Sequence, residues 1–460
     1  MKKSRLLSVL LCLALLSGLL ATFASAADSG SAILDEMDVN AKAAVLVDPD
    51  TGEILYEKNA HAHNSPASIT KVMTCLLTLE AVDRGELSLE QTVTASSALH
   101  TGIGEGASTA DIKEGEQIRI IDLLYAALIP SANEACNVMA EAVSGDVASF
   151  VELMNTRAAE LGMEDTHFSN THGYHDDDHY TSAYDIYLMC REAMKHETFR
   201  TIVGSKNYTM PATNLHPEPR IIRSTNALIS NFRVAGYIYE YATGIKTGST
   251  PEAGHCLVSS ATKNDRSLIA VVMGAANYTE NKEVNYFTES KCLLEFGFDN
   301  FSRQTILDGS SLDFPEVSVT LSKTDYVTVR PAASLSATLP NDIDPAAFQR
   351  QLDLPESVEA PLEEGQVLGT VTLTYNGQEY GKVDLVANSS VERSELRYRL
   401  DRIQKFFDQL WVRILLAVLA VLLVFLFLRH LITGRKRSRY GGSRARSGRG
   451  SSRYSGRRRR

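Results

Sequence analysis

Three short runs carry residue types and spacings suited to chemistry on an acyl group: Ser68-Ile69-Thr70-Lys71, Ser131-Ala132-Asn133 and Lys246-Thr247-Gly248. A serine hydroxyl is a weak nucleophile until a base takes its proton. Residues i and i+3 share one face of a helix, so Lys71 can reach Ser68. Lys71 works as that base only with a lowered pKa, through desolvation or a nearby cation. Lys246 is the candidate cation. Ser68 at a helix N-terminus would also place developing negative charge at the positive end of the helix dipole. Ser131 can relay a proton to a leaving group, and Asn133 can hold an amide. Lys246 and Thr247 offer a cation and a hydroxyl to a carboxylate, and Gly248 lets a substrate backbone approach the strand. Each run alone has a plain structural reading. Ser68, Ser131 and Asn133 could be helix caps, and Lys71 and Lys246 solvated lysines. All three in this order favour chemistry.

These residues need a rigid frame. Residues 41–58 read as a hairpin around Asp48-Pro49-Asp50-Thr51-Gly52. A helix is expected from Ser68 to Arg84, stopped by Gly85. Val72, Cys75, Leu76, Leu79 and Val82 give it one apolar face. Further helices are expected at about 121–128, 133–143, 148–161, 183–195 and 284–296. Strands are expected at 255–261 and 267–274, turning at Lys263-Asn264-Asp265. Strands at both ends of a helical middle suggest one sheet with helices packed on it. From 301 the texture changes to short strands at 317–321, 326–329, 366–375 and 380–386, with Asn376-Gly377 as a hairpin turn.

The chain has 460 residues, 46 Lys+Arg, 56 Asp+Glu and a net charge of −10. At 44% hydrophobic it is neither disordered nor a multi-spanning membrane protein. The charge is unevenly spread. Three basic residues stand at the start, twelve in 433–460, and Arg413 and Arg429 flank an apolar run. The remaining 29 face all 56 acids, so the body carries −27 and is a poor nucleic-acid binder. Residues 1–26 read as a secretory signal, with Lys2, Lys3 and Arg5 before an apolar stretch and Ala24-Ser25-Ala26 as the cleavage site. Residues 410–432 are long and apolar enough to cross a bilayer. Trp411 suits the interface, and the basic tail 433–460 places itself in the cytoplasm and the body outside. Residues 393–409 read as a charged helical stalk. Five Cys remain past the signal, an odd number, and Cys75 and Cys136 read as buried free thiols. His172, His175, Asp176, Asp177, Asp178 and His179 crowd one loop, but their spacing fits no common zinc framework. No metal and no cofactor are expected.

The body resembles the serine-type D-alanyl-D-alanine carboxypeptidases, the low-molecular-mass penicillin-binding proteins. Beyond the three runs, the likeness rests on Pro66-Ala67-Ser68-Ile69-Thr70-Lys71-Val72-Met73-Thr74, on Asn170-Thr171-His172-Gly173-Tyr174 and on His179-Tyr180-Thr181-Ser182-Ala183-Tyr184-Asp185. It continues through Gly244–Thr250, Ala253–Val258 and Glu364–Gly369, so it covers about 35–390. A Pro often precedes the His in this family, where Thr171 stands here. The resemblance implies an α/β (α+β) penicillin-binding/β-lactamase-like transpeptidase fold with helices packed on a sheet, then a small all-β domain and one transmembrane helix. With the readings of charge, hydropathy and strand texture above, the chain divides into a signal peptide (1–26), a catalytic domain (27–300), an all-β domain (301–392), a stalk (393–409), a span (410–432) and a cytoplasmic tail (433–460). The resemblance implies Ser68, Lys71 and Ser131 as catalytic and Asn133, Lys246, Thr247, Gly248 and Ser249 as substrate-binding. The backbone N–H groups of Ser68 and Ser249 would hold the oxyanion. The substrates would be peptidoglycan stem peptides, and β-lactams would acylate Ser68. A class A β-lactamase needs a Glu four residues before the loop Asn, where Thr166 stands. A D,D-endopeptidase and a catalytically silent wall-binding scaffold are the other readings that the runs leave open.

Overall fold

The computed structural model describes residue 37 and residues 39–276 and 285–434. The signal segment 1–26 and nearly all of the basic tail lie outside them. The chain divides into two compact units. One comprises residues 1–309, 333–351 and 372–383, and the other 310–332, 352–371 and 384–460.

The first unit is built on an antiparallel five-stranded sheet. In chain order its described elements begin with β1 (Ala43–Val47), β2 (Ile54–Lys58) and α1 (Lys71–Asp83). Then come β3 (Thr92–Thr94), β4 (Gln117–Arg119), α2 (Ile120–Leu128), α3 (Asn133–Ser144) and α4 (Val147–Glu160). They are followed by α5 (Ala183–Ala193), α6 (Glu197–Val203), β5 (Asn207–Met210) and β6 (Arg220–Arg223). Next are β7 (Ala242–Thr250), β8 (Gly254–Lys263), β9 (Arg266–Ala275) and α7 (Asn285–Asn300), after which Phe301–Leu307 pairs antiparallel with Leu335–Pro340 of the same unit. The sheet order is β2-β1-β9-β8-β7, so the Lys246 run occupies an edge strand. Successive side chains of a strand point to opposite faces. Accordingly Val45 and Val47 of β1, with Ile269 and Val271 of β9, enter a core shared with the α1–α6 layer. Leu46, Leu268 and Ala270 enter a second core with Phe287, Leu293 and Leu294 of α7. Burial on both faces explains why these strands read as continuous apolar runs.

The helix expected over 68–84 differs in two ways. Residues Ala67–Thr70 form a 3₁₀ turn, and the α-helix begins at Lys71. Every residue from Lys71 to Leu79 is buried, where one apolar face was expected. The reason is position: α1 is a central helix with neighbours on several sides, including α3 and α5. Gly85 ends it at a φ of 74°.

In the second unit, Val317–Thr320 pairs antiparallel with Tyr326–Val327 and parallel with Ser357–Glu359. Val329–Pro331 pairs antiparallel with the end of strand Gln378–Ala387. Asn376 and Gly377, which belong to the first unit, precede that strand at φ of 50° and 82°, as a two-residue hairpin turn requires. Ser394 caps the helix Glu395–Asp408, and a further helix runs over Leu410–Gly434. Within it, Leu410–Ile432 is the one segment among the described residues long and apolar enough to cross a membrane.

Candidate functional site

Ser68 lies where the 3₁₀ turn meets α1, and its backbone approach is unusual. Ala67 has a φ of 48°, in the left-handed region that non-glycine residues seldom occupy. Ser131, across the site, has a φ of 73°. Such outliers persist only where surrounding structure over-determines them, and they gather at functional sites.

All three predicted runs converge. Lys71 Nζ donates to Ser68 Oγ at 2.8 Å and to the His172 carbonyl at 2.6 Å. Lys246 Nζ donates to Ser131 Oγ at 3.1 Å and to the Thr247 carbonyl at 2.8 Å. Both lysines are fully buried, 0% and 1% exposed, while Ser68 is partly open. Burial pulls the Lys71 pKa down to about 8. Burial, and then the charge of Lys71, drives that of Lys246 well below the ordinary lysine value. Desolvation is thus the main cause at both lysines. Neither lysine is the solvated residue of the plain reading.

The capping readings fail as well. Ala132 occupies the N-cap position of α3 without a side-chain cap, so Ser131 and Asn133 do not serve there. The Asn133 N–H donates to the Ser108 carbonyl at 2.9 Å, and Asn133 is buried. The adjoining Glu134 accepts from Thr109 Oγ1 at 2.6 Å and the Ala110 N–H at 2.8 Å, which pins the 108–112 segment beside the site. Ser68 lies inside a 3₁₀ turn, not on the first turn of α1, so the dipole argument for it weakens.

Gly248 brings β7 against the Ser68 turn. A Cβ there would stand 3.0 Å from the Pro66 carbonyl oxygen and 3.2 Å from the Ala67 Cβ.

The histidine loop is scaffolding. His179 Nε2 meets Thr70 Oγ1 at 2.7 Å, and its Nδ1 accepts from the Ser169 N–H at 3.0 Å. His172 Nε2 lies 3.2 Å from the Thr101 carbonyl. Burial first, and neighbouring positive groups second, hold His172 down at about 4 and His179 at about 3. Both are therefore neutral at pH 7. Cys75, Cys136, Cys190 and Cys256 are buried and free, and Cys292 is exposed. Cys75 and Cys136 have their pKa values raised by burial.

Residues 30–277 match the D-alanyl-D-alanine carboxypeptidase family, and 303–393 match the C-terminal domain of penicillin-binding protein 5. The chain belongs to the D-alanyl-D-alanine carboxypeptidase family. It is 31% identical over 361 residues to the D-alanyl-D-alanine carboxypeptidase DacF of Bacillus subtilis, covering 78% of this chain and 88% of that one. It is 31% identical over 391 residues to DacC of Escherichia coli, covering 84% and 92%. Among solved structures, penicillin binding protein 5 of Haemophilus influenzae superposes with a TM-score of 0.63 at 27% identity, over 78% of this chain and 99% of that one. The fold is accordingly the α+β fold of that protein, with its C-terminal domain.

One contact at the site escaped sequence reading. Thr225 Oγ1 lies 2.6 Å from Thr247 Oγ1. Nothing in the run Ser224-Thr225-Asn226 marks it, because its role comes from packing beside β7. Thr225→Val removes the partner that orients the Thr247 hydroxyl. Its kcat/KM on a peptide ending in D-Ala-D-Ala should fall about tenfold, as for one lost hydrogen bond that orients a hydroxyl at the site. Thr225→Ser should restore most of it when D-alanine release from that peptide is measured.

Proposed function

We propose that this chain is a serine-type D-alanyl-D-alanine carboxypeptidase. It removes the terminal D-alanine from peptidoglycan stem pentapeptides and is acylated by penicillins. The observation that carries the reading is the 2.8 Å contact of Lys71 Nζ with Ser68 Oγ, made by a lysine whose pKa burial has lowered to about 8. In its neutral form Lys71 takes the hydroxyl proton as Ser68 Oγ attacks the penultimate carbonyl. The C–O bond forms and the carbonyl oxygen takes the charge. The backbone N–H groups of Ser68 and Ser249 are the donors assigned to that oxyanion, supported by the tight seating of Gly248 on the Ser68 turn. Collapse breaks the C–N bond. Ser131, held by Lys246, passes its proton to the departing D-alanine amine and takes the one that the Lys71 ammonium gives up, so Lys71 is neutral again. Water, deprotonated in turn by Lys71, then releases the acyl group from Ser68.

Asn133 holds the substrate amide, and Lys246, Thr247 and Gly248 receive its C-terminal end. A bound carboxylate raises the pKa of Lys246 toward its charged form. Thr166 supports hydrolysis of peptides over a β-lactamase. It is bonded to Asp185 Oδ2 at 2.7 Å and Thr181 Oγ1 at 2.8 Å, and so supplies no water-activating carboxylate.

The domain plan given above is part of the proposal, supported by family matches that end at 277 and resume at 303. So is the topology: a single span at 410–432 with the tail in the cytoplasm and the acidic body in the envelope. The test uses the full chain in detergent and a stem pentapeptide ending in D-Ala-D-Ala. Wild type should release D-alanine and label with fluorescent penicillin, and Ser68→Ala should do neither. Release by Ser68→Ala, or rapid penicillin turnover without D-alanine release, would refute the reading.

A further inference from the structure

The mechanism leaves one large feature of the first unit unused. A cavity of about 930 Å³ opens beyond the C-terminus of α5, between α6 and the ends of β7, β8 and β9. Ala242 and Thr243 line it at one end of β7, while Lys246-Thr247-Gly248 lie three to six residues further along. At the rise of a β-strand that separation is about 10–20 Å. The cavity is therefore a place apart from Ser68 on the same strand.

Its chemistry runs against the body around it. The body carries −27, yet this lining holds Arg191, Lys195 and Arg200 against one acid, Asp50. Two of those charges are already answered: Lys195 pairs with Glu192 at 2.6 Å, and Asp50 faces Arg303 at 3.7 Å. Two guanidinium groups are left. Arg200 donates one nitrogen to the Met194 and Lys195 carbonyls at 2.6 and 2.8 Å. Arg191 reaches the Tyr187 hydroxyl at 3.4 Å and lies against its ring. Neither forms an ion pair with a carboxylate among the described residues. Each keeps N–H donors in the planar fork that binds carboxylates bidentately. Between them the wall is polar, with Thr243 Oγ1 and Ser260 Oγ paired at 2.7 Å and Thr262 Oγ1 and Ser267 Oγ at 2.9 Å. Hydroxyl pairs of this kind have spare lone pairs for sugar or peptide groups.

We propose that this cavity is a second, non-catalytic site for the peptidoglycan polymer, gripped through carboxylates of its peptide side chains by Arg191 and Arg200. The inference rests on the activity proposed above, because it takes the same polymer as ligand. That polymer repeats the same acidic peptide along its length. A chain held at Ser68 therefore offers further carboxylates at high effective concentration to a cationic site close by. Held there, the polymer stays with the enzyme between cleavages.

The test uses the full chain in detergent, with Ser68 first blocked by penicillin so that the catalytic site takes no part in binding. Sacculi stripped of phosphodiester polymers by hydrofluoric acid are the probe. Wild type should co-sediment with them, and the Arg191→Glu/Arg200→Glu double variant should bind at least about tenfold more weakly, as expected for two lost charge-assisted contacts. Carbodiimide amidation of the sacculi should weaken wild-type binding by a similar factor. The unblocked double variant should keep wild-type D-alanine release from a soluble pentapeptide, which also shows that it folds. Equal binding by the double variant, or by amidated sacculi, overturns the proposal. Binding that disappears on stripping also overturns it and assigns the cavity to a phosphodiester polymer. Failure of wild type itself to release D-alanine or take up penicillin would instead count against the catalytic reading.

Discussion

Lys71→Ala should lose about 10²–10⁴-fold in the rate at which penicillin acylates Ser68, the range expected for removing a general base. The fold should survive, because among the described residues Lys71 makes no ion pair with an acid that would be left buried and unpaired. Its two contacts are to Ser68 Oγ and the His172 carbonyl. The pH profile separates a base from a structural amine. Burial lowers the Lys71 pKa to about 8, so the neutral, proton-accepting form is a minority of about one tenth at pH 7. Acylation should therefore rise as pH rises from 6, bend near 8 and level off above it. Burial, and then the charge of Lys71, push the Lys246 pKa in the same downward direction. Lys71→Arg keeps a cation at the position, but one that never gives up its proton in this range. It should be as slow as Lys71→Ala and flat with pH. The measurement is the rate of fluorescent-penicillin labelling between pH 6 and 9.5. A wild-type profile that is flat across that range would exclude Lys71 as the base.

Much of the catalytic arrangement was legible because the chemistry is written in local spacings. Ser68 and Lys71 are three residues apart, and a tight helical turn of either kind brings them together. Asn376-Gly377 fixed its own turn in the same local way. What sequence could not give depends on contacts far along the chain. The His172 carbonyl that receives Lys71 lies 101 residues away, and the Thr225 hydroxyl partner of Thr247 sits in an unremarkable loop. The burial of Lys71 and Lys246 follows from that packing, and so does the dominance of desolvation over a neighbouring cation. The apolar periodicity of α1 suggested one buried face. Its remaining positions carry Lys71, Thr74 and Thr78, which look polar in sequence but are satisfied inside, Thr74 by the Thr171 carbonyl at 2.6 Å. The strand Ala242–Thr250 was visible only through its motif, since Thr243, Gly244, Thr247, Gly248 and Ser249 give no apolar alternation.

Gly173→Ala should be the most damaging single-methyl change in the first unit. Gly173 has a φ of 81°, where an added Cβ is strained by about 1 kcal/mol. The larger problem is space. A Cβ at this position would stand 1.8 Å from the Ala67 carbonyl oxygen and 2.7 Å from Thr70 Oγ1. Both neighbours belong to the turn that carries Ser68, and neither can yield cheaply. The Ala67 oxygen is backbone, and Thr70 Oγ1 is held between the Ala67 carbonyl at 2.8 Å and His179 Nε2 at 2.7 Å. The loop must therefore retreat, and the His172 carbonyl, one residue earlier, must retreat with it. That carbonyl is an acceptor for Lys71 Nζ. A displacement of even about 1 Å at a reacting group can cost 10²-fold in rate. The variant should lose about that factor in penicillin acylation and about 3 kcal/mol of stability, the scale of overpacking added to backbone strain. Gly162→Ala provides the control. Gly162 has a similar φ of 75°, but nothing lies within 4 Å of its added Cβ. It should show the backbone strain alone, a loss of about 1 kcal/mol with acylation unchanged. Denaturant melts and labelling rates on the two variants decide the matter. If Gly173→Ala behaves like Gly162→Ala, the 170–174 loop does not position Lys71 through its contact with Ala67.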